Sequence, residues 1–107
     1  VSAEFESDAP APASWPTEKI KAACYGVEVK APSVFTSAEV TVETSNQLVV
    51  KVTGADFATY CGELEADGLH VEGEGNAMYC YDDTFDRAFD LNLLADGSIT
   101  LTFAIYG

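Results

Sequence analysis

At 107 residues the chain has room for one domain, and 48% hydrophobic with 11% aromatic residues is enough for a packed core. Eighteen Asp and Glu against five Lys and Arg give a formal net charge of -13, which repels phosphate backbones and anionic bilayers and disfavours nucleic acid as a partner. No apolar run approaches the length of a transmembrane helix.

The chain opens on Val1 rather than Met, as a trimmed chain would, and no signal-peptide pattern is present. Residues 1–13, VSAEFESDAPAPA, read as a flexible tether, and residues 14–107 as a single domain. A tether of that composition suits an exported protein, so the expected location is extracytoplasmic: secreted, periplasmic or lipoprotein-tethered. Ser14 as a cap, Pro16 in the first turn and Gly26 past the end frame a short helix over about 16–24. The rival is a strand through Ile20, Ala22 and Cys24.

After Pro32 the period becomes two. Residues 39–44 alternate, Ser45-Asn46 is a turn pair, and Leu48, Val50 and Val52 alternate with Val49, Lys51 and Thr53. Gly54-Ala55-Asp56 breaks the run. Residues 57–65 read as a third strand closed by a hairpin at Asp67-Gly68, residues 69–74 as a fourth, and 77–82 as a fifth. A polar connection over 83–86 leads to a sixth strand over 87–94, a turn at Asp96-Gly97, and a last strand from Ile99. The predicted fold is all-β: an antiparallel meander of about seven strands forming a small barrel or half-barrel, with a β-sandwich as the alternative. In the hairpin register around Asp67-Gly68, Tyr60, Leu64, Leu69 and Val71 share the core face. Cys61, Glu63, Glu65, His70 and Glu72 share the other, with Glu63 opposite Glu72.

Cys24, Cys61 and Cys80 have no CxxC spacing, so a zinc ribbon or redox dithiol has no support. In a meander Cys61 and Cys80 stand on second-neighbour strands about 9.6 Å apart. A disulfide from Cys24 to one of them is therefore the favoured pairing. His70, the single histidine, does not assemble a recognisable catalytic set with the cysteines.

Charge is concentrated. Residues 56–96 hold eleven of the eighteen acids and, in Arg87, one of the five bases. A solvated face explains most such runs. Within it Asp82, Thr84, Asp86 and Asp90 place oxygen donors at alternate positions, a loose calcium-like set. It is not an EF-hand, because Arg87 stands where the loop needs Gly and Leu93 where it needs Glu. No cofactor other than calcium is indicated. Among the aromatics, Trp15, Tyr81 and Phe85 are the candidates for contact with a ligand or partner.

The leading functional reading is a non-enzymatic binding module for a ligand or a protein. The alternatives are an inhibitor or interaction module presenting residues 82–86 to a basic partner, and a small hydrolase with paired carboxylates.

Overall fold

The computed structural model describes residues 15–105, so the tether assigned to residues 1–13 lies outside the described residues. Two helices and six strands follow in the order α1 (Thr17–Ala23), β1 (Ser37–Glu43), β2 (Gln47–Thr53), α2 (Phe57–Ala66), β3 (His70–Glu74), β4 (Ala77–Tyr81), β5 (Ala88–Leu93) and β6 (Ile99–Ala104). The architecture is mostly β, with every strand pair antiparallel in one sheet of order β1-β2-β6-β5-β4-β3. The sheet stays open rather than closing into the expected barrel: β1 and β3 are its two edges.

The difference from a meander arises at residues 57–65, which form a helix and not a third strand. The apolar positions Phe57, Tyr60, Cys61 and Leu64 have helical spacing, whereas only Tyr60 and Leu64 would share the buried face of a strand. The caps decide between the two. Asp56 accepts the Thr59 backbone N–H at 3.0 Å and the Thr59 hydroxyl at 2.8 Å. At the other end Leu69 N–H donates to the Leu64 carbonyl and Gly68 N–H to that of Glu65, both at 3.1 Å. This bond pair is the Schellman ending, with Gly68 at φ 96° in the left-handed position it requires. Asp67-Gly68 thus ends a helix where a hairpin was expected; both structures need a glycine able to take positive φ.

α2 also changes the topology. It carries the chain from β2 to β3, the far edge of the sheet, and these two strands run parallel because the order between them alternates direction. Only β3 to β6 form a true meander. Both helices lie on one face: α1 over β2 and β6, α2 over β3. Beneath them the inward residues of the central strands are fully buried: Leu48, Val50 and Val52; Leu101 and Phe103; Phe89 and Leu91. Ile20, Tyr60 and Leu64 close this core from the helix side, and the Tyr60 hydroxyl is satisfied by the Lys30 carbonyl at 2.6 Å. A bulge between Val40 and Val42 flips the parity of β1, turning Val42 to the opposite face and Glu43 toward Lys19 of α1, 2.8 Å away.

The helical assignment predicts the effect of one substitution. Gly62 lies inside α2, and a Cβ there meets nothing within 4 Å. Gly62→Ala is expected to raise unfolding free energy by about 0.5–1 kcal/mol in urea titrations. A loss of stability would contradict a helix at this position.

Candidate functional site

The sheet face away from the helices has no covering layer among the described elements, and its two halves differ. Toward β1 it carries Val49, Lys51, Thr100 and Thr102. Toward β3 it carries Asp90, Tyr79, Tyr81, Glu72 and His70, as the pairings Tyr79↔Asp90, Glu72↔Tyr79 and His70↔Tyr81 require. On that second half the rings form a row. His70 lies 5.0 Å from Tyr81, and Tyr81 stacks on Tyr79 at 5.4 Å. Phe85, from the β4–β5 connection, lies parallel to Tyr81 at 5.1 Å with an interplanar angle of 2°. The Tyr81 hydroxyl donates to Glu72 at 2.5 Å, a bond that holds the proton and pushes the phenol pKa up. His70 Nε2 meets Asp83 Oδ1 at 2.6 Å.

At the start of β5 this row opens into a groove of about 390 Å³, within the size range of small-ligand sites. Tyr25, Tyr79, Phe85 and Phe89 supply its aromatic lining, alanines from α1, β5 and β6 its small one, and Asp86 and Asp90 add carboxylates. Tyr25 is 61% exposed and Phe85 56%. Both stand in the left-handed region, Tyr25 at φ 55° and Phe85 at φ 60°, the non-glycine residues that do so among the described residues. A bulky side chain there costs on the order of 1 kcal/mol or more. At Tyr25 the comparison is internal to the molecule. α1 ends like α2, with Gly26 N–H donating to the Lys21 carbonyl at 2.7 Å, yet Tyr25 occupies the position that Gly68 fills after α2.

Arg87 holds the loop beside this groove. Its Nε donates to Asp82 at 3.0 Å and its Nη1 to Asp67 at the end of α2 at 2.9 Å. Nη1 also reaches the Glu28 carbonyl at 3.5 Å, on the segment after α1. Burial works to raise the pKa of Asp82, but the bonds from Arg87 and Thr84 outweigh it and hold the carboxyl below its ordinary value. Asp82 N–H also donates to the Arg87 carbonyl, and Phe85 N–H to the Asp82 carbonyl, both at 3.0 Å. The brace therefore fixes the turn on which Phe85 stands.

Of the three contact residues expected from the sequence, Tyr81 and Phe85 come together, while Trp15 packs elsewhere. Its Nε1 donates to the Val29 carbonyl at 3.1 Å and its ring lies edge-on to Phe35. The calcium-like set does not gather around one point. Asp82 is buried against Arg87, the Thr84 hydroxyl lies between Asp82 and Asp86, and Asp90 projects from the open sheet face. Among the described residues no group of three or more His, Cys, Asp and Glu side chains converges on a metal-sized site. Glu63 and Glu72 do not oppose each other, because one is on α2 and the other on β3. Glu63 instead receives the Ser33 hydroxyl and backbone N–H, which lower its pKa. The favoured disulfide is absent: Cys24, Cys61 and Cys80 are free thiols. Burial pushes Cys24 up to about 11 and Cys80 up to about 12. Both cysteines are turned from His70, which stands on the open face. Tyr25 and Tyr79 were not singled out as contact residues from the sequence; the exposed pairing of Tyr79 and Tyr81 on one strand face was the available signal.

No protein-family model, curated protein or solved structure matches the chain significantly. Among the described residues no helix is long and apolar enough to cross a membrane.

Two measurements test this site. Arg87→Met leaves the Asp82 carboxylate largely buried without its partner and is expected to cost about 2–4 kcal/mol of unfolding free energy. Because the Asp82 pKa is lowered on folding, its contribution is complete above the ordinary aspartate value of 3.8 and is lost as pH falls through the lower folded-state value. Asp82→Asn should flatten that part of the acid limb in urea midpoints, and an unchanged limb would refute the brace. For the thiols, an aromatic disulfide reagent at neutral pH should leave Cys24 and Cys80 unmodified until denaturant is added; rapid labelling of either in the native protein would contradict their burial.

Proposed function

We propose that the protein is a non-enzymatic extracytoplasmic binding module, which holds a ligand or protein partner in the aromatic groove where the end of α1 meets the aromatic half of its open sheet face. The observation that carries this reading is the pair Tyr25 and Phe85. Exposed rings on left-handed backbone add little to the core, and strain of this kind persists where function uses it. Tyr79 and Tyr81 extend the surface along β4, giving rigid, amphipathic contact area at low entropic cost. The extracytoplasmic placement rests on the Pro- and Ala-rich composition of residues 1–13.

The test uses a panel of immobilised probes: neutral oligosaccharides, an acidic peptide, a basic peptide and a neutral hydrophobic peptide. At least one should bind reversibly, and the Tyr79→Ala/Phe85→Ala double variant should lose about tenfold or more in affinity for it. The variant's near-native circular dichroism would separate contact from folding. Binding that the double variant leaves intact, or no binding across the panel, overturns the assignment.

A further inference from the structure

We infer that the groove between Tyr25 and Phe85 receives an arginine side chain from a basic protein segment. The inference rests on the binding-module reading and adds the chemistry of the partner. Three observations converge on it.

The first is the lining. Tyr25, Tyr79 and Phe85 present aromatic rings, and Asp86 and Asp90 stand among them. Ring faces carry negative charge, so a cation over them is attracted, and carboxylates beside them increase that attraction. Among the described residues, Asp90 has no hydrogen-bonding or ion-pairing side chain, and Asp86 accepts only the Thr84 hydroxyl, at 3.2 Å.

The second is the placement of the protein's own cations. Lys19 pairs with Glu43 and Lys51 with Asp96, while Lys21, Lys30 and Arg87 line a separate, shallow hollow. No Lys or Arg lines the aromatic groove. The groove therefore has the anionic and aromatic chemistry, without a cation of its own, that a cation from outside complements. With a net charge of -13, the whole molecule steers such a partner inward and repels an acidic one.

The third is rigidity. Tyr81 stacks on both Tyr79 and Phe85, with interplanar angles of 28° and 2°, and so fixes two exposed rings that line the groove. A ring held in place suits a flat guanidinium, which stacks on aromatics and forks onto carboxylates. A lysine ammonium, a compact and strongly hydrated point charge, gains less from such walls.

The experiment is titration calorimetry of the full chain with an arginine–glycine peptide, a lysine–glycine peptide of equal charge and a neutral oligosaccharide. The arginine peptide should bind about fivefold or more tighter than the lysine peptide. Affinity should fall as NaCl rises from about 50 to about 500 mM. Asp86→Asn/Asp90→Asn should weaken arginine-peptide binding about tenfold and reduce its salt dependence. Tyr25→Gly should also weaken it several-fold without lowering Tm, because glycine takes the left-handed position freely.

Equal affinity for the two basic peptides, or binding indifferent to all three substitutions, would show only diffuse surface attraction and overturn the inference. A fall in Tm for Tyr25→Gly would also count against it, because that ring would then serve the fold. Binding of the oligosaccharide alone, lost on Tyr79→Ala, overturns the arginine assignment and leaves the binding-module reading standing.

Discussion

Arg87 is the interaction on which the arrangement of the site depends. It is the one base within the acidic stretch of residues 56–96, and its guanidinium is tied to Asp82, Asp67 and the Glu28 carbonyl. Those partners belong to the β4–β5 turn, the end of α2 and the segment leaving α1. A planar, rigid fork of donors holds all three at fixed angles, where a lysine would offer a single point charge on a flexible stem. Because both Arg87 and Asp82 are largely removed from water, the pair holds geometry as well as charge. Phe85 stands on the turn that it braces, and Tyr25 precedes the segment that Nη1 reaches.

The second constraint is the use of α2 as a crossover. A meander would have left both faces of the sheet competing for cover. By spending residues 57–66 on a helix, the chain covers the inner face near β3, complementing α1 over β2 and β6. Most of the apolar residues of the strands are committed to that side, Val42 and Val49 excepted, so the half of the other face toward β3 keeps carboxylates and tyrosines. The exposed aromatic row is thus a consequence of one-sided layering. Tyr79 and Tyr81 share a strand face by the period of two, and the register with β5 sets Asp90 beside them.

Much of the sheet was legible in the sequence. Leu48, Val50 and Val52, and Ile99, Leu101 and Phe103, alternate cleanly and are buried as that alternation requires. The Asp96-Gly97 turn is where it was expected, with Gly97 at φ 90°. Residues 57–65 are ambiguous in the sequence because Tyr60 and Leu64 suit both a strand and a helix, and Asp67-Gly68 suits both a hairpin and a helix end. The decisive signal was Asp56 with Thr59 three positions on, a helix-starting spacing. Within the site, Tyr81 and Phe85 are recognisable from the sequence as contact candidates, the first half-buried and the second exposed. Tyr25 is not, since it follows a short helix and meets Phe85 only through the fold.

By itself the sequence determined the negative charge, the capacity for one core, most strands with their inward residues, and the acidic stretch that Arg87 interrupts. These are local or compositional properties, carried by spacing and side-chain type. Only the tertiary structure decided that the sheet would stay open and that Arg87 would reach Asp67 and the Glu28 carbonyl as well as Asp82. Those outcomes depend on contacts between segments distant in the chain.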